Sequence, residues 1–389
     1  MIKHYHAIII GGGIVGLSLA ALLSNNHFSV AVVESKNAAL DNDPLTARVS
    51  AIHKNTATLF AYLAIWKDMP HTPMQAMHIW DHTHKAALNF DNHNSVWIIE
   101  NRAIISALEK KCAPVDFYRP RHPKKYSRDN HKIILTLDDD TVIETDLLIG
   151  ADGAESWVRN QMQTTLHKKS YEQKAIIAVI QSEVAHENTA YQKFLTTGPV
   201  ALLPLENPHH TALVWSADNP ISDDLLQQSS AGFSAALTDA LDFKLGKLTA
   251  ISERLQFPLI MRHADNYVDH QMALVGDAAH TIHPLAGLGV NLGLMDAACL
   301  TDTLINARAK KKPTGDYRSL RHYARWRKAE NTGIICTMRL LKTVFAINTP
   351  FANKTRSMAV NAVNQCDFVK ENLMAYAMGK TLDLTFLKK

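Results

Sequence analysis

The sequence predicts an α/β protein of two lobes, one binding a nucleotide and interrupted by a second that is mostly strand. Three observations predict it. The chain opens on an apolar strand at His6–Ile10, a glycine-rich turn, a helix at Ile14–Ser24 and a second strand at Ser29–Glu34. The stretch from Ala175 to Val214 reads as strand throughout, in the runs KAIIAVIQSEV, PVALLPL and HTALVWS. The segment Met272–Ala297, MALVGDAAHTIHPLAGLGVNLGLMDA, returns to a short buried strand, a Gly-Asp turn, a loop with Pro284, Gly287 and Gly289, and a helix.

The other elements follow in order. Asn55–Ile65 and Ala103–Lys111 read as helices, Met77–Phe90 alternates as a hairpin, and Lys132–Leu137 and Thr141–Gly150 are strands separated by Asp138–Asp140. A polar helix is expected around Asp223–Leu241, and further helices at Leu292–Ala309, Tyr317–Phe345 and Phe351–Met378. At 389 residues the chain exceeds the usual size of a single core. The pattern divides it into a discontinuous nucleotide-binding domain (1–75, 97–172 and 268–345), an inserted sheet domain (76–96 and 173–267) and a C-terminal helical segment (346–389).

Gly11, Gly13 and Gly16 form GxGxxG between the first strand and the first helix. The first glycine permits the turn, the second lets the backbone approach a pyrophosphate, and the third lets helix and strand pack closely. Glu34 ends the second strand, where an acid meets the adenosine ribose; its charge opposes a 2′-phosphate and so favours FAD or NAD over NADP. Leu147–Gly153, LLIGADG, is a buried strand ending in Asp152-Gly153, which reads equally as a plain turn or as a cofactor contact. Gly276-Asp277 and the glycine loop after it offer free N–H groups and a positive helix end to an electron-rich ligand. Arg48 in TARVSAI and Arg102 in ENRAIISAL are candidate phosphate or cofactor contacts, a guanidinium having the donors for that role.

Other chemistries are excluded or disfavoured. The net charge of +4 is small and dispersed, which argues against a nucleic-acid partner. Cys112, Cys299, Cys336 and Cys366 lie far apart, so neither a zinc ribbon nor a redox dithiol is present, and scattered thiols fit a reducing cytosol. His78, His82 and His84 alternate with Trp80 but lack a completing carboxylate or thiol; His280 and His283 read as loop structure; no metal site is expected. The N-terminus lacks a signal-peptide pattern, and no run of about 18 apolar residues would span a membrane.

The GxGxxG, the Asp152-Gly153 pair and the Gly276-Asp277 pair, in this order, resemble the class A FAD-dependent aromatic monooxygenases. The resemblance covers nearly the whole chain and implies their para-hydroxybenzoate hydroxylase-like fold: a Rossmann-like FAD-binding domain with an inserted β-sheet substrate domain and C-terminal helices. Within that family VGDAAHTIHPLAGLGVNLGLMDA, ARVSAI, ENRAIISAL and RHYARWRKAEN are similar to the ubiquinone-biosynthesis hydroxylases. One departure is Leu288, where that subgroup commonly has Gln.

The resemblance assigns Glu34 to the adenosine ribose and Arg48 and Arg102 to the pyrophosphate and ribityl chain. It gives Asp277 the ribityl or pyrophosphate end, and Asp152-Gly153 a motif associated with both FAD and NAD(P)H. Pro284, Gly287, Leu288, Gly289, Val290 and Asn291 would border the isoalloxazine. The implied chemistry uses FAD, with NAD(P)H as transient electron donor and O2, through a C4a-hydroperoxyflavin that attacks an electron-rich ring. The implied substrate is a polyprenylated phenol or quinol. Lys342, Lys354 and Arg356 among apolar residues would suit peripheral contact with a membrane or a multi-enzyme complex, although an ordinary core helix with a basic face accounts for them too. Two other readings stand beside this one: a hydroxylase of a small soluble aromatic, and a non-catalytic lipid-binding accessory protein of the same fold. A flavin halogenase is disfavoured because no two of the six Trp lie two positions apart.

Overall fold

The computed structural model describes residues 2–37, 48–81, 87–91, 95–129, 131–281, 288–346 and 384–388. The chain opens with β1 (Lys3–Ile10), α1 (Ile14–Asn25) and β2 (Val30–Val33). Next come β3 (Val49–His53), α2 (Lys54–Tyr62), β4 (Thr72–Pro73), β5 (Ala76–Asp81), β6 (Ala87–Asp91), β7 (Val96–Glu100) and α3 (Asn101–Lys111). These lead to β8 (Asp116–Tyr118), β9 (Pro123–Asp129), β10 (Lys132–Leu137), β11 (Val142–Gly150) and α4 (Trp157–Gln161). The following run is β12 (Leu166–Ser182), β13 (Thr189–Leu195), β14 (Gly198–Pro204), β15 (His210–Asp218), α5 (Asn219–Gln227) and α6 (Ser230–Ala240). Then come β16 (Leu248–Ala250), β17 (Leu255–Ala264), β18 (Val268–Asp269), β19 (Met272–Leu274), β20 (His280–Thr281), α7 (Leu288–Ala309) and α8 (Tyr317–Ala346).

The first sheet has the order β18-β19-β11-β1-β2-β8, with β10 and β9 extending from β11. Its centre is parallel: β1 pairs with β11 and β2, and β11 with β19. A parallel strand buried on both faces must be apolar throughout, and β2 (VAVV) and the end of β11 are buried at every residue. Helix α1 is apolar all round because Leu17, Leu19, Leu22 and Leu23 are all buried.

The second sheet runs β20-β17-β12-β15-β14-β13-β5-β6, antiparallel except where β13 meets β5. One face carries Ile176, Ala178, Ile180, Leu213 and Trp215 against Phe233 and Leu237 of α6. The opposite face carries Ile177, Val179 and Val214. A small third sheet joins β3, β7 and β4.

Three expectations change. The helix expected around Asp223–Leu241 is two helices, because Gln228 is extended and Ser229 caps the second by accepting from the Gly232 N–H at 3.1 Å. Helix α7 begins at Leu288, so Leu288–Asn291 form its first turn instead of a loop. Strand β12 begins at Leu166 and runs 17 residues, pairing with β17 on both sides of a register shift at Ser170–Lys174. Strand β20 then ties the segment after Gly276-Asp277 into the second sheet, with His280 opposite His263.

Candidate functional site

Four strands of the first sheet end in one row. Val33, Ile10, Gly150 and Leu274 are neighbours across β2, β1, β11 and β19. Backbone bonds carry the row one residue further: Gly11 N–H to Val33 C=O at 2.9 Å, Ala151 N–H to Ile10 C=O at 2.8 Å and Val275 N–H to Gly150 C=O at 2.9 Å. Glu34, the GxGxxG turn, Asp152 and Gly276-Asp277 therefore leave the sheet side by side. The carboxyl ends of parallel strands are where open α/β sheets bind ligands.

The glycines divide into those that pack and those that leave room. Gly11 has φ +106°, and a Cβ there would lie 2.4 Å from the Ala151 carbonyl oxygen. A Cβ on Gly16 would lie 2.0 Å from the Gly11 carbonyl oxygen. Gly13, which caps α1 with no side chain, faces open space, as do Gly153 and Gly289. Glu34 folds over the turn, its Oε2 accepting from the Gly12 N–H at 2.5 Å and its Oε1 from the Lys36 N–H at 2.9 Å.

Asp152 spends one carboxylate oxygen on α4: Oδ2 accepts from the N–H groups of Trp157 at 2.7 Å and Val158 at 3.2 Å. Its Oδ1 is buried with no hydrogen-bond partner among the described residues, and burial raises its pKa. Buried Arg159 donates to the carbonyls of Ala278 and Ala154, so the Asp152-Gly153 and Gly276-Asp277 turns are bolted together. Asp277 sits in a 3-10 turn with its side chain reachable by solvent, yet surrounding protein desolvates the carboxyl and raises its pKa.

Pairing of β3 with β7 brings Arg48 and Arg102 close in the backbone: the Asn101 N–H bonds the Arg48 carbonyl at 3.0 Å. Arg102 also holds Glu100 at 2.6 Å. Asn291 is buried, accepting from the His53 N–H at 3.1 Å and Thr56 Oγ1 at 2.8 Å and donating to the Ala51 carbonyl at 2.7 Å. Its side chain thus pins the start of α7 to the β3–α2 turn. Pro284 and Gly287, like His82, His84 and His283, lie outside the described residues, as do Lys354 and Arg356.

Sequence reasoning missed a buried charged cluster directly behind this site. Asp296, Arg327 and His280 are all within 2% of full burial. Asp296 is 2.6 Å from His280 and 2.7 Å from Arg327. These partners hold the Asp296 carboxyl down at about 2 against the cost of burial. His280 is therefore the partner of a buried acid and not plain loop structure. The acid in LMDA carried the signal, since a charge inside an apolar helix needs a partner, whereas Arg327 is one of several charges in RHYARWRKAEN.

A cleft of about 450 Å³ lies elsewhere, between Met77, His78, Phe90, Tyr191 and Lys244 of the second sheet and its neighbouring loop. His78 there bonds Asn89 at 2.5 Å. Among the described residues no group of three His, Cys, Asp or Glu could hold a metal.

The strand-end row has the form of a dinucleotide cradle: Gly13 faces open space, Asp152 keeps a buried oxygen without a partner among the described residues, and Glu34 folds over the glycine turn. Such a cradle, joined to a second large sheet, defines a flavoprotein of the FAD-dependent monooxygenase class. The chain belongs to the FAD binding domain family, which matches residues 4–332.

Among curated relatives, the ubiquinone biosynthesis monooxygenase COQ6 of Danio rerio mitochondria is 31% identical over 433 residues, covering 96% of this chain and 89% of that protein. The 3-demethoxyubiquinol 3-hydroxylase of Escherichia coli K12 is 33% identical over 393 residues, covering 95% and 97%. Among solved structures, p-nitrophenol 4-monooxygenase from Pseudomonas putida DLL-E4 superposes with a TM-score of 0.79 at 15% identity, covering 98% of this chain and all of that one. At that identity the match is one of fold, the para-hydroxybenzoate hydroxylase-like arrangement.

Proposed function

We propose that this enzyme hydroxylates the aromatic ring of a polyprenylated phenol or quinol in ubiquinone biosynthesis, using FAD, NAD(P)H and O2. The observation that carries this reading is the row of strand ends with Gly13 open and Asp277 accessible, in a chain similar end to end to relatives named for that pathway. FAD, when bound, supplies the electron transfer and oxygen activation, and the side chains supply binding and orientation.

In this reading Glu34 holds the adenosine ribose, and the first-turn amides of α1 after Gly13 hold the pyrophosphate. Arg48 and Arg102 add positive charge along the cofactor, Asp277 accepts from the ribityl hydroxyls, and Gly289–Asn291 present backbone to the ring. No nucleophilic side chain is needed. The protein's task is to keep water out and fix the substrate ring against the cofactor.

The face of the second sheet opposite α6 supports an isoprenoid-bearing substrate. Ile177, Val179 and Val214 make it apolar, and Leu255 and Phe257 of β17 remain 38% and 40% exposed on it. No helix of the described residues is long and apolar enough to cross a membrane. A membrane-resident substrate would require the enzyme to visit the bilayer surface or a partner that delivers lipid.

The test is lipid mass spectrometry on a strain lacking the gene. Accumulation of a prenylated intermediate short of one hydroxyl, reversed by the wild-type gene, is the expected result. Unchanged quinone with turnover of a small soluble phenol by the purified enzyme would reject the prenylated substrate. A purified protein that stays colourless with added FAD would reject the enzyme altogether.

A further inference from the structure

We infer that Asp296 is a positioning residue that fixes the Gly276–Asp277 turn from the protein interior for FAD, with Arg327 of α8 holding it in place. The inference rests on the reading that this turn binds the cofactor, and it gives a role to the late RHYARWRKAEN segment.

Asp296 is fully buried on α7 and holds four partners with its two oxygens. Oδ2 accepts from the Gly276 N–H at 3.0 Å and meets His280 Nε2 at 2.6 Å. Oδ1 accepts from Arg327 Nε at 2.7 Å and Asn331 Nδ2 at 3.4 Å. Arg327 is locked in turn by Asn331 Oδ1 at 2.9 Å, the Leu292 carbonyl at 3.4 Å and Glu330.

The bond to Gly276 is the informative one. An ion pair between α7 and α8 needs no contact with a turn outside both helices. Gly276 has φ +59°, a conformation disfavoured for most residues, and it immediately precedes Asp277. Three residues before Asp296, on the same face of α7, stands Gly293, where a Cβ would lie 3.1 Å from Gly276 Cα. Helix α7 therefore offers the turn a gap to settle into and an acceptor that orients its amide. His280, which leaves the far side of the turn, is held by the same oxygen and stacks on Tyr267 at 5.8 Å. Both ends of the turn that presents Asp277 are fastened to one carboxylate. Buried ion pairs add little net stability over an apolar filling, whereas they do fix geometry.

The test is a double-mutant cycle read as FAD affinity of the apoprotein, by quenching of flavin fluorescence, with apoprotein melting followed by circular dichroism. An Asn at 296 has one acceptor oxygen; Arg327 claims it, and the Gly276 amide then faces an NH2 group. Asp296→Asn should weaken FAD binding about tenfold or more, and should add little in the Asp277→Asn background. Losses that multiply, or an unchanged affinity, overturn the inference. If Asp296→Asn alone does not fold, the pair Asp296→Asn, Arg327→Gln leaves no lone buried charge and is read the same way. Asp302→Asn is the control: Asp302, also on α7, accepts from the Thr385 N–H at 2.7 Å and should melt earlier while keeping FAD affinity. A wild-type apoprotein that takes up no FAD, or an Asp277→Asn variant of full affinity, would instead bring down the underlying reading of the turn.

Discussion

Arg159 donates through Nη1 to the carbonyl oxygen of Ala278 at 3.0 Å, joining two turns that lie 119 positions apart in the chain. Its Nη2 holds Ala154 at 2.7 Å, and the side chain is 3% exposed. Burial lowers its pKa, while Glu155 and Asp152 favour its charge. Removing it leaves the buried Ala278 carbonyl and the half-buried Ala154 carbonyl without this donor. Arg159→Met should therefore cost about 3 kcal/mol of stability. It should also loosen FAD, because the two aspartate turns lose their common brace. Denaturant melts and FAD titration of the same sample check both parts.

The glycines of the first turn should separate folding from binding. Gly11→Ala puts a Cβ 2.4 Å from the Ala151 carbonyl and strains a positive φ, so it should fail to give soluble protein. Gly13→Ala meets nothing within 4 Å and should fold with a wild-type melting temperature. Its methyl group occupies the space assigned to the pyrophosphate, so flavin content after purification should fall sharply. Equal flavin content in Gly13→Ala and wild type would remove the pyrophosphate from that position.

Glu34→Arg reverses the charge beside the Gly12 amide and the proposed ribose position. FAD affinity should drop at least about tenfold, equivalent to about 1.4 kcal/mol. Isothermal titration of the apoprotein measures it directly, and an unchanged affinity would remove Glu34 from the site.

Asp277 should carry a cost in the cofactor-free protein. Desolvation raises its pKa above the unfolded value, so the folded chain binds that proton more tightly. Its contribution to stability is thus greatest in acid and declines as pH rises from about 3.9 through the folded value. Asp277→Asn removes the decline. The variant apoprotein should gain on wild type between pH 4 and 7, while binding FAD less well. Paired thermal melts across that range, with a flavin titration at pH 7, test the opposition; a constant difference in melting temperature across the range would refute it.

Much of this was legible from residues alone. GxGxxG needs a strand before it and a helix after it, and that local grammar located α1 and β2 within a residue and β1 within three. Alternation gave the β5–β6 hairpin, and apolar runs gave β11 and β19. The boundaries that shifted were set by tertiary bonds. Helix α7 starts early because Asn291 is captured by Ala51, His53 and Thr56, partners more than 200 positions away. The Asp296 cluster escaped notice for the same reason: its members are spread over three elements. Only the oddity of an Asp within the apolar start of α7 hinted at it.

The row Val33, Ile10, Gly150 and Leu274 also sets an order of events during synthesis. An emerging chain can fold β1, α1 and β2 early, but β11 must arrive before the turn gains its second wall. Strands β12–β17 must then be made before β19 closes the row. Contacts of such long sequence separation form slowly. Helix α8, which carries Arg327, leaves the ribosome later still. In the proposed reading the cofactor therefore meets its full site only after β19 and α7 have been made, and its capture, by mass action, favours the chains that have assembled every strand end correctly.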